Sequence, residues 1–339
     1  MLVGDLDMYS VPQLNPVKNF SRIAILTSGG DAPGMNAAIR AVVLTAISYG
    51  IDSFGVHRGY SGLIDGDIRP MTSKSIKNII HRGGTVLKSD RCLEFRDPAV
   101  RWQAYETASE MGIEALVVIG GDGSLTGAHL FGMETGMPVI GIPGTIDNDI
   151  PCTDDTVGFD TAVNTALDAI DRIRDTADSH GRVFLVEVMG RNSGNIASEV
   201  AIAGGADFVI LPESEADDET FRELSAYKGK FDEKSSLIVV AEGEGSQRTQ
   251  VIADRLMRLG HEPRICILGH TQRGGSPTGH DRVLASSLGA IAVQYLRSGY
   301  DNHMVGINKG ALVASPLKDI RLKEERNSEE FSSLWNLLK

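Results

Sequence analysis

The chain reads as an α/β protein of two lobes, each a mostly parallel sheet flanked by helices in a Rossmann-like way, and three observations predict it. From Arg22 onward, strand-like apolar runs alternate with helical periods, the pattern of parallel strands joined by crossover helices. The runs Glu114–Gly120 and Met137–Pro143 are almost wholly apolar, as expected of strands covered on both faces. The length, 339 residues, exceeds what one ordinary core organises.

The elements follow in order. Strand-like runs fall at Arg22–Thr27, Ser53–His57, Ala115–Gly120, Pro138–Pro143, Val183–Val188, Phe208–Leu211, Leu237–Ala241 and Ile265–Gly269. Helical periods fall at Pro33–Tyr49, Pro98–Met111, Ser124–Glu134, Thr161–Ala177, Asn192–Ala203, Arg248–Leu259 and Asp281–Arg297. There is no internal repeat and no low-complexity linker. Acidic and small residues at Asp154–Asp160 precede a long helix and mark a lobe boundary. The expected organisation is residues 22–158 with 272–321 as one lobe and 159–271 with 322–339 as the other. Residues 1–21 are expected to be a loose extension, since Met1–Phe20 has neither the basic start nor the apolar core of a signal peptide. Ala216–Lys234 is the most polar interior stretch and is expected at the surface.

Composition narrows the function classes. The net charge of −12 argues against nucleic acid or an anionic membrane as partner, although local arginine clusters can still bind phosphate. The scattered cysteines Cys92, Cys152 and Cys266 lack metal-site spacing and fit reduced thiols in a cytoplasm. No apolar run approaches the roughly 20 residues of a membrane span.

The chemistry concentrates after the strands. Val118–Ser124 is an apolar strand running into a glycine turn with one carboxylate, Asp122. Pro143–Asp149 places Asp147 and Asp149 two residues apart in a short polar loop. Both turns are expected at the carboxyl end of one parallel sheet, where open α/β folds bind ligands. Glycines let backbone N–H groups approach phosphate, and clustered aspartates can hold magnesium or supply a base. Together they suggest phosphoryl transfer. The first strand ends in Ser28-Gly29-Gly30-Asp31-Ala32-Pro33-Gly34-Met35-Asn36. Met35 and Asn36 stand where a P-loop needs Lys and Ser/Thr, and the run is not Gly-x-Gly-x-x-Gly. Such a turn either binds phosphate or simply makes a tight connection into a helix. Arg82, Arg91, Arg182, Arg191, Arg264 and Arg273 sit mostly at strand ends, which together suits bidentate phosphate recognition, although any one of them alone reads first as a surface ion pair.

These residues resemble the bacterial-type 6-phosphofructokinases from about Arg22 to about Ile320. The signatures are Ser28–Asn36, Gly120–Ser124, Pro143–Asp149, Glu187–Arg191 and Gly269–Pro277, specific in this order and spacing. The resemblance implies a phosphofructokinase-like fold and ATP-dependent phosphorylation of fructose 6-phosphate in glycolysis. It implies Asp147 as the base, with Thr145 beside it, and Arg191 and Arg91 meeting the transferring phosphoryl group. It places Gly30, His57, Arg91, Cys92, Arg96, Gly121, Asp122, Gly123, Ser124 and Gly127 at the nucleotide, His57 where an aromatic usually packs on adenine. Asp122 and Asp149 are implied at magnesium. Thr145, Asp147, Asp149, Met189, Gly190, Arg191, Glu242, His270 and Arg273 are implied at the sugar phosphate. Arg182 and Arg264 are implied to reach that phosphate across a subunit boundary of a homotetramer.

The chain departs from the family at the effector site. Arg40, Arg174, Asp207 and Lys234 match it, but Leu44 replaces an arginine, and Phe231-Asp232-Glu233-Lys234 leaves one lysine among two acids. Weak response to ADP or phosphoenolpyruvate is expected. The competing readings are a pyrophosphate-dependent relative, a non-catalytic regulatory subunit opposed by intact Asp147, Asp149 and Arg191, and a nucleotide-binding oxidoreductase opposed by the missing dinucleotide fingerprint.

Overall fold

The computed structural model describes residues 14–180, 183–212, 236–243, 247–321 and 328–338. In chain order the elements are β1 (Arg22–Ser28), α1 (Met35–Ser48), β2 (Asp52–Val56), α2 (Gly59–Asp65), β3 (Ile68–Met71), α3 (Pro98–Glu110), β4 (Ala115–Gly120), α4 (Asp122–Thr135), β5 (Val139–Pro143), α5 (Phe159–His180), β6 (Val183–Val188), α6 (Asn195–Ala203), β7 (Phe208–Ile210), β8 (Ser236–Ala241), α7 (Arg248–Arg258), β9 (Arg264–Ile267), α8 (Gly279–Arg297), β10 (His303–Asn308), β11 (Ala311–Pro316) and α9 (Ser328–Leu338). The chain packs as two compact units. One comprises Met1–Ile146, Ile150–Asp160 and Arg273–Glu324; the other comprises Asp147–Asp149, Thr161–Gln272 and Glu325–Lys339.

The first unit is built on a seven-stranded sheet in the order β11-β10-β5-β4-β1-β2-β3. β4 and β5 are buried along their whole length and β1 along all but its first residue, because helices cover both faces. On one face α2, α3 and α4 bury Leu63, Ala104, Leu125 and Phe131 against Leu26, Leu116 and Val118. Each such fully buried side chain contributes about 1.5–3 kcal/mol relative to an exposed one. On the other face α1 packs on α8 so closely that a Cβ at Gly289 would lie 2.6 Å from the Ala38 carbonyl oxygen. The buried Arg101 ties α3 to α4 through Glu134 at 2.6 Å and also donates to the Phe95 carbonyl oxygen at 2.8 Å.

The second unit has a four-stranded parallel sheet, β7-β8-β6-β9. Its core joins Leu185, Ile210, Ile238 and Val240 to Ile252 and Leu256 of α7.

Three strands and two helices escaped the sequence pattern. β3 and β11 run antiparallel to β2 and β10 at the two flanks of the larger sheet. β3 contains Pro70, tolerated because an edge strand needs no donor on its outer side. β10 carries its core on Met304, Val305 and Ile307 but lies among turns that hid it. α2 is only seven residues long, below the reach of a periodicity argument, and α9 lies within residues 322–339, expected as part of a lobe but not as a helix. α4 begins at Asp122 rather than at Ser124, which brings the Asp122 carboxylate into its first turn. The polar stretch Ala216–Lys234 lies outside the described residues.

Candidate active site

In the first unit, strand order decides where a ligand fits. The chain runs from β1 outward to β2, then returns to β4 on the other side of β1. Ligands of open α/β sheets bind outside the carboxyl ends of strands at such a reversal. Ser28 and Gly120, the last residues of β1 and β4, lie side by side in register, and Gly120 pairs with Pro143 of β5. The turns carrying Gly30, Asp122 and Thr145 therefore open at one edge. α4 has no side-chain cap, and Asp122 and Gly123 are exposed at its first turn. The first-turn N–H groups of a helix have no intrahelical partner and favour an anion. A Cβ at Gly123 would meet nothing within 4 Å. Gly30 is approached by Arg273, whose Nη1 would stand 2.7 Å from a Cβ there and donates to the Asp31 carbonyl oxygen at 3.3 Å.

Arg91, Cys92 and Arg96 follow one another on the irregular segment before α3, with Arg91 and Arg96 exposed and Cys92 half-buried. Gly127 lies against the rings of Tyr60 and Phe95, 3.3 and 3.4 Å from where its Cβ would be. Those rings stack at 3.9 Å, and the Tyr60 hydroxyl donates to the Ser124 carbonyl oxygen at 2.6 Å. Burial holds that hydroxyl protonated far above the ordinary tyrosine range. Tyr60 thus packs against the start of α4. His57 itself is half-buried past the end of β2, its N–H on the Asp67 carbonyl oxygen at 2.9 Å. Burial, then Arg69, Lys88 and Arg58, outweigh Asp67 and keep its pKa below the usual histidine value.

The loop after β5 changes unit at Ile146. Thr145 is buried, and its carbonyl oxygen accepts from Thr156 Oγ1 at 2.6 Å. Asp147 is 6% exposed, whereas Asp149 is exposed. Within the second unit the Asp147 carbonyl oxygen accepts from Ser193 Oγ at 3.1 Å, and that of Asn148 accepts from Asn195 Nδ2 at 2.8 Å. The loop after β6 therefore holds Asp147 by its backbone. That loop carries Met189, Gly190 and Arg191. Arg191 has φ 51° and Asn148 φ 48°. Left-handed backbone at a non-glycine residue is unfavourable and persists where the surroundings impose it, often at functional loops.

Because β6, β8 and β9 are parallel, their carboxyl ends place Arg191, Glu242 and His270 at one edge of this sheet. The fully buried Gln272 accepts from the Met189 N–H at 2.8 Å and donates to the Ala162 carbonyl oxygen at 3.1 Å. Arg264 opens β9 and is exposed. Gln272, Ser193, Asn195 and Tyr60 escaped sequence reasoning. Gln272 lay inside a signature, but nothing in its neighbours says that its amide turns inward.

The effector candidates divide. Arg40 is half-buried on α1. Arg174 on α5 donates to the carbonyl oxygens of Gly204 and Gly205, and the Asp207 carboxylate accepts from the Leu237 N–H at 2.8 Å. Arg182 and Lys234 lie outside the described residues. No group of three or more His, Cys, Asp or Glu that could hold a metal occurs among the described residues. No helix of the described residues is long and apolar enough to cross a membrane.

The phosphofructokinase family model matches residues 22–296. The chain belongs to the phosphofructokinase family. It is 52% identical over 304 residues to the ATP-dependent 6-phosphofructokinase of Halalkalibacterium halodurans, covering 88% of this chain and 93% of the relative. The ATP-dependent 6-phosphofructokinase 1 of Thermus thermophilus is likewise 52% identical over 300 residues, with the same coverage of 88% and 93%. Among solved structures, the phosphofructokinase of Saccharomyces cerevisiae superposes with a TM-score of 0.85 at 34% identity, over 94% of this chain and 50% of that one. A pyrophosphate-dependent phosphofructokinase from Marinobacter aquaeolei, 23% identical with a TM-score of 0.79 over 92% of this chain and 86% of its own, shares the fold.

Proposed function

We propose that this phosphofructokinase transfers the γ-phosphoryl group of ATP to the 1-hydroxyl of D-fructose 6-phosphate, giving fructose 1,6-bisphosphate and ADP. The observation that carries this reading is the buried Asp147, backbone-anchored two residues after Thr145, in a chain 52% identical over 304 residues to a bacterial relative named for this activity. Asp147 takes the hydroxyl proton as the sugar oxygen bonds to phosphorus, and the bond to ADP breaks. Arg191 and Arg91 offset charge on the transferring group, and Thr145 orients it. Phosphoryl transfer needs positioning and charge stabilisation more than covalent help.

Unit by unit, the first supplies the nucleotide side: Gly30, His57, Arg91, Cys92, Arg96, Gly121, Asp122, Gly123, Ser124 and Gly127. The second supplies the sugar side: Met189, Gly190, Glu242, Arg264 and His270, with Arg182 in the same role. Arg273 serves the sugar phosphate from its position beside the Gly30 turn. Magnesium suits Asp122 and Asp149. Such an ion would take its other ligands from nucleotide phosphates and water. Bound there, it would neutralise phosphate charge.

A homotetramer in the cytoplasm completes the reading. The edge strand β9 supports self-association, because it leaves Ile265 and Ile267 36% and 60% exposed beside Arg264. A coupled assay with fructose 6-phosphate, magnesium and either ATP or pyrophosphate tests the whole. Turnover with ATP is expected, and faster turnover with pyrophosphate at saturation overturns the donor assignment.

A further inference from the structure

The signature Ser28–Asn36 ends in a residue that the reaction does not use. Asn36 is the second residue of α1 and is 1% exposed. An asparagine in the first turn of a helix usually faces water or bonds its own backbone. Asn36 does neither. Its Nδ2 donates to the carbonyl oxygens of Arg82 and Gly83 at 3.0 and 3.3 Å, and its Oδ1 accepts from the Val86 N–H at 2.7 Å. The amide thus meets three backbone groups of a segment with no helix or strand between β3 and the turn at Glu94. Burying an amide is unfavourable unless its hydrogen bonds are made, so the side chain and the segment hold each other in place.

The clamp continues toward Arg91. Thr27 Oγ1 lies 2.9 Å from Thr85 Oγ1 and 2.9 Å from the Lys88 carbonyl oxygen, and Leu87 is buried. The Gly29 N–H reaches the Asp90 carbonyl oxygen at 3.3 Å. The next residue is Arg91, exposed, its own N–H held by Asp90 Oδ1 at 2.7 Å. No ladder defines the path of this segment, so these bonds do, together with the Arg58 N–H on the Leu87 carbonyl oxygen at 2.9 Å.

We propose that Asn36 is a positioning residue, which sets the path of residues 82–90 and thereby places the Arg91 guanidinium for phosphoryl transfer. The inference rests on the role given to Arg91 above. Displacing a transition-state group by about 1 Å costs up to about 100-fold in rate. Asn36→Ala should therefore lower kcat by about 10- to 100-fold while leaving KM for fructose 6-phosphate nearly unchanged. The test is a double-mutant cycle of Asn36→Ala and Arg91→Ala, with kcat, both KM values and a melting curve for each protein. The expected result is that Asn36→Ala changes kcat by no more than about twofold once Arg91 is already alanine, the limit of independent effects. Full multiplication of the two losses overturns the proposal, as does a lower Tm with unchanged kcat per folded molecule. If Arg91→Ala alone leaves kcat intact, the role of Arg91 is wrong and the inference falls with it, which the single variant reveals separately. Should Asn36→Ala not fold, Thr27→Val, which removes the same clamp's hydroxyl at constant volume, takes its place in the cycle.

Discussion

The two sheets end differently. The larger sheet ends at each flank in an antiparallel strand, β3 with its Pro70 on one side and β11 on the other. Among the described residues, the smaller sheet ends on one flank at the three-residue β7, and on the other at β9 with isoleucines in water. A sheet edge is an invitation to pairing unless it is short, covered or interrupted. Among the described residues, the short, proline-bearing β3 is blunted in this respect, whereas β9 of the second unit keeps apolar side chains in water. The chemistry divides in parallel. Most residues proposed for the nucleotide stand on turns of the larger sheet, while Asp147 and most residues proposed for the sugar belong to the unit of the smaller one.

The largest expected effect sharpens this division on the acceptor side. Asp147→Ser should lower kcat by about 10²–10⁴, the range for a positioned base, with a smaller change in substrate binding. If Asp147 merely supported its loop, the variant would instead melt early and turn over normally per folded molecule. Measuring kcat beside a melting curve separates the two.

The donor side is probed by Gly123→Asp. The site is sterically open, since a Cβ there meets nothing within 4 Å, so folding should be untouched. A carboxylate facing the nucleotide phosphates should cut kcat/KM for ATP by about 100-fold, because like charges brought together cost several kcal/mol. Unimpaired use of ATP would break the assignment of this turn. Gly144→Lys is the poorer probe: its Cβ would sit 3.0 Å from Ile119 Cγ2 and 3.2 Å from Met35 Cε.

A smaller effect tests the open edge itself. Ile267→Glu should dissociate the assembly, read as a drop in mass by light scattering. Arg264→Ala should raise KM for fructose 6-phosphate by about tenfold, one lost charge-assisted contact, with little change in KM for ATP. A fully active monomer under assay conditions would remove the claim that β9 meets another subunit.

The smallest expected effect concerns regulation. Arg174 is occupied with the carbonyl oxygens of Gly204 and Gly205, and Asp207 with the Leu237 N–H. Millimolar ADP or phosphoenolpyruvate should leave the half-saturation point for fructose 6-phosphate essentially where it was. A several-fold shift would show that these residues exchange their present partners for a ligand.

The sequence by itself determined the parallel cores and the identity of the chemistry. Strands such as β1 and β4 are apolar almost throughout because both faces are covered, and that burial is visible as an unbroken run. The aspartates and glycines of the signatures were legible because few residue types can approach a phosphate or take a proton. Only the tertiary structure decided how those groups are held. The edge strands β3 and β11 exist through one partner each, and their sequences carry no run to announce it. The amides of Asn36 and Gln272 and the hydroxyls of Tyr60 and Ser193 work on backbone groups far along the chain. A side-chain amide has the same composition whether it faces water or clamps a loop, and the direction it takes is set by what folding brings beside it.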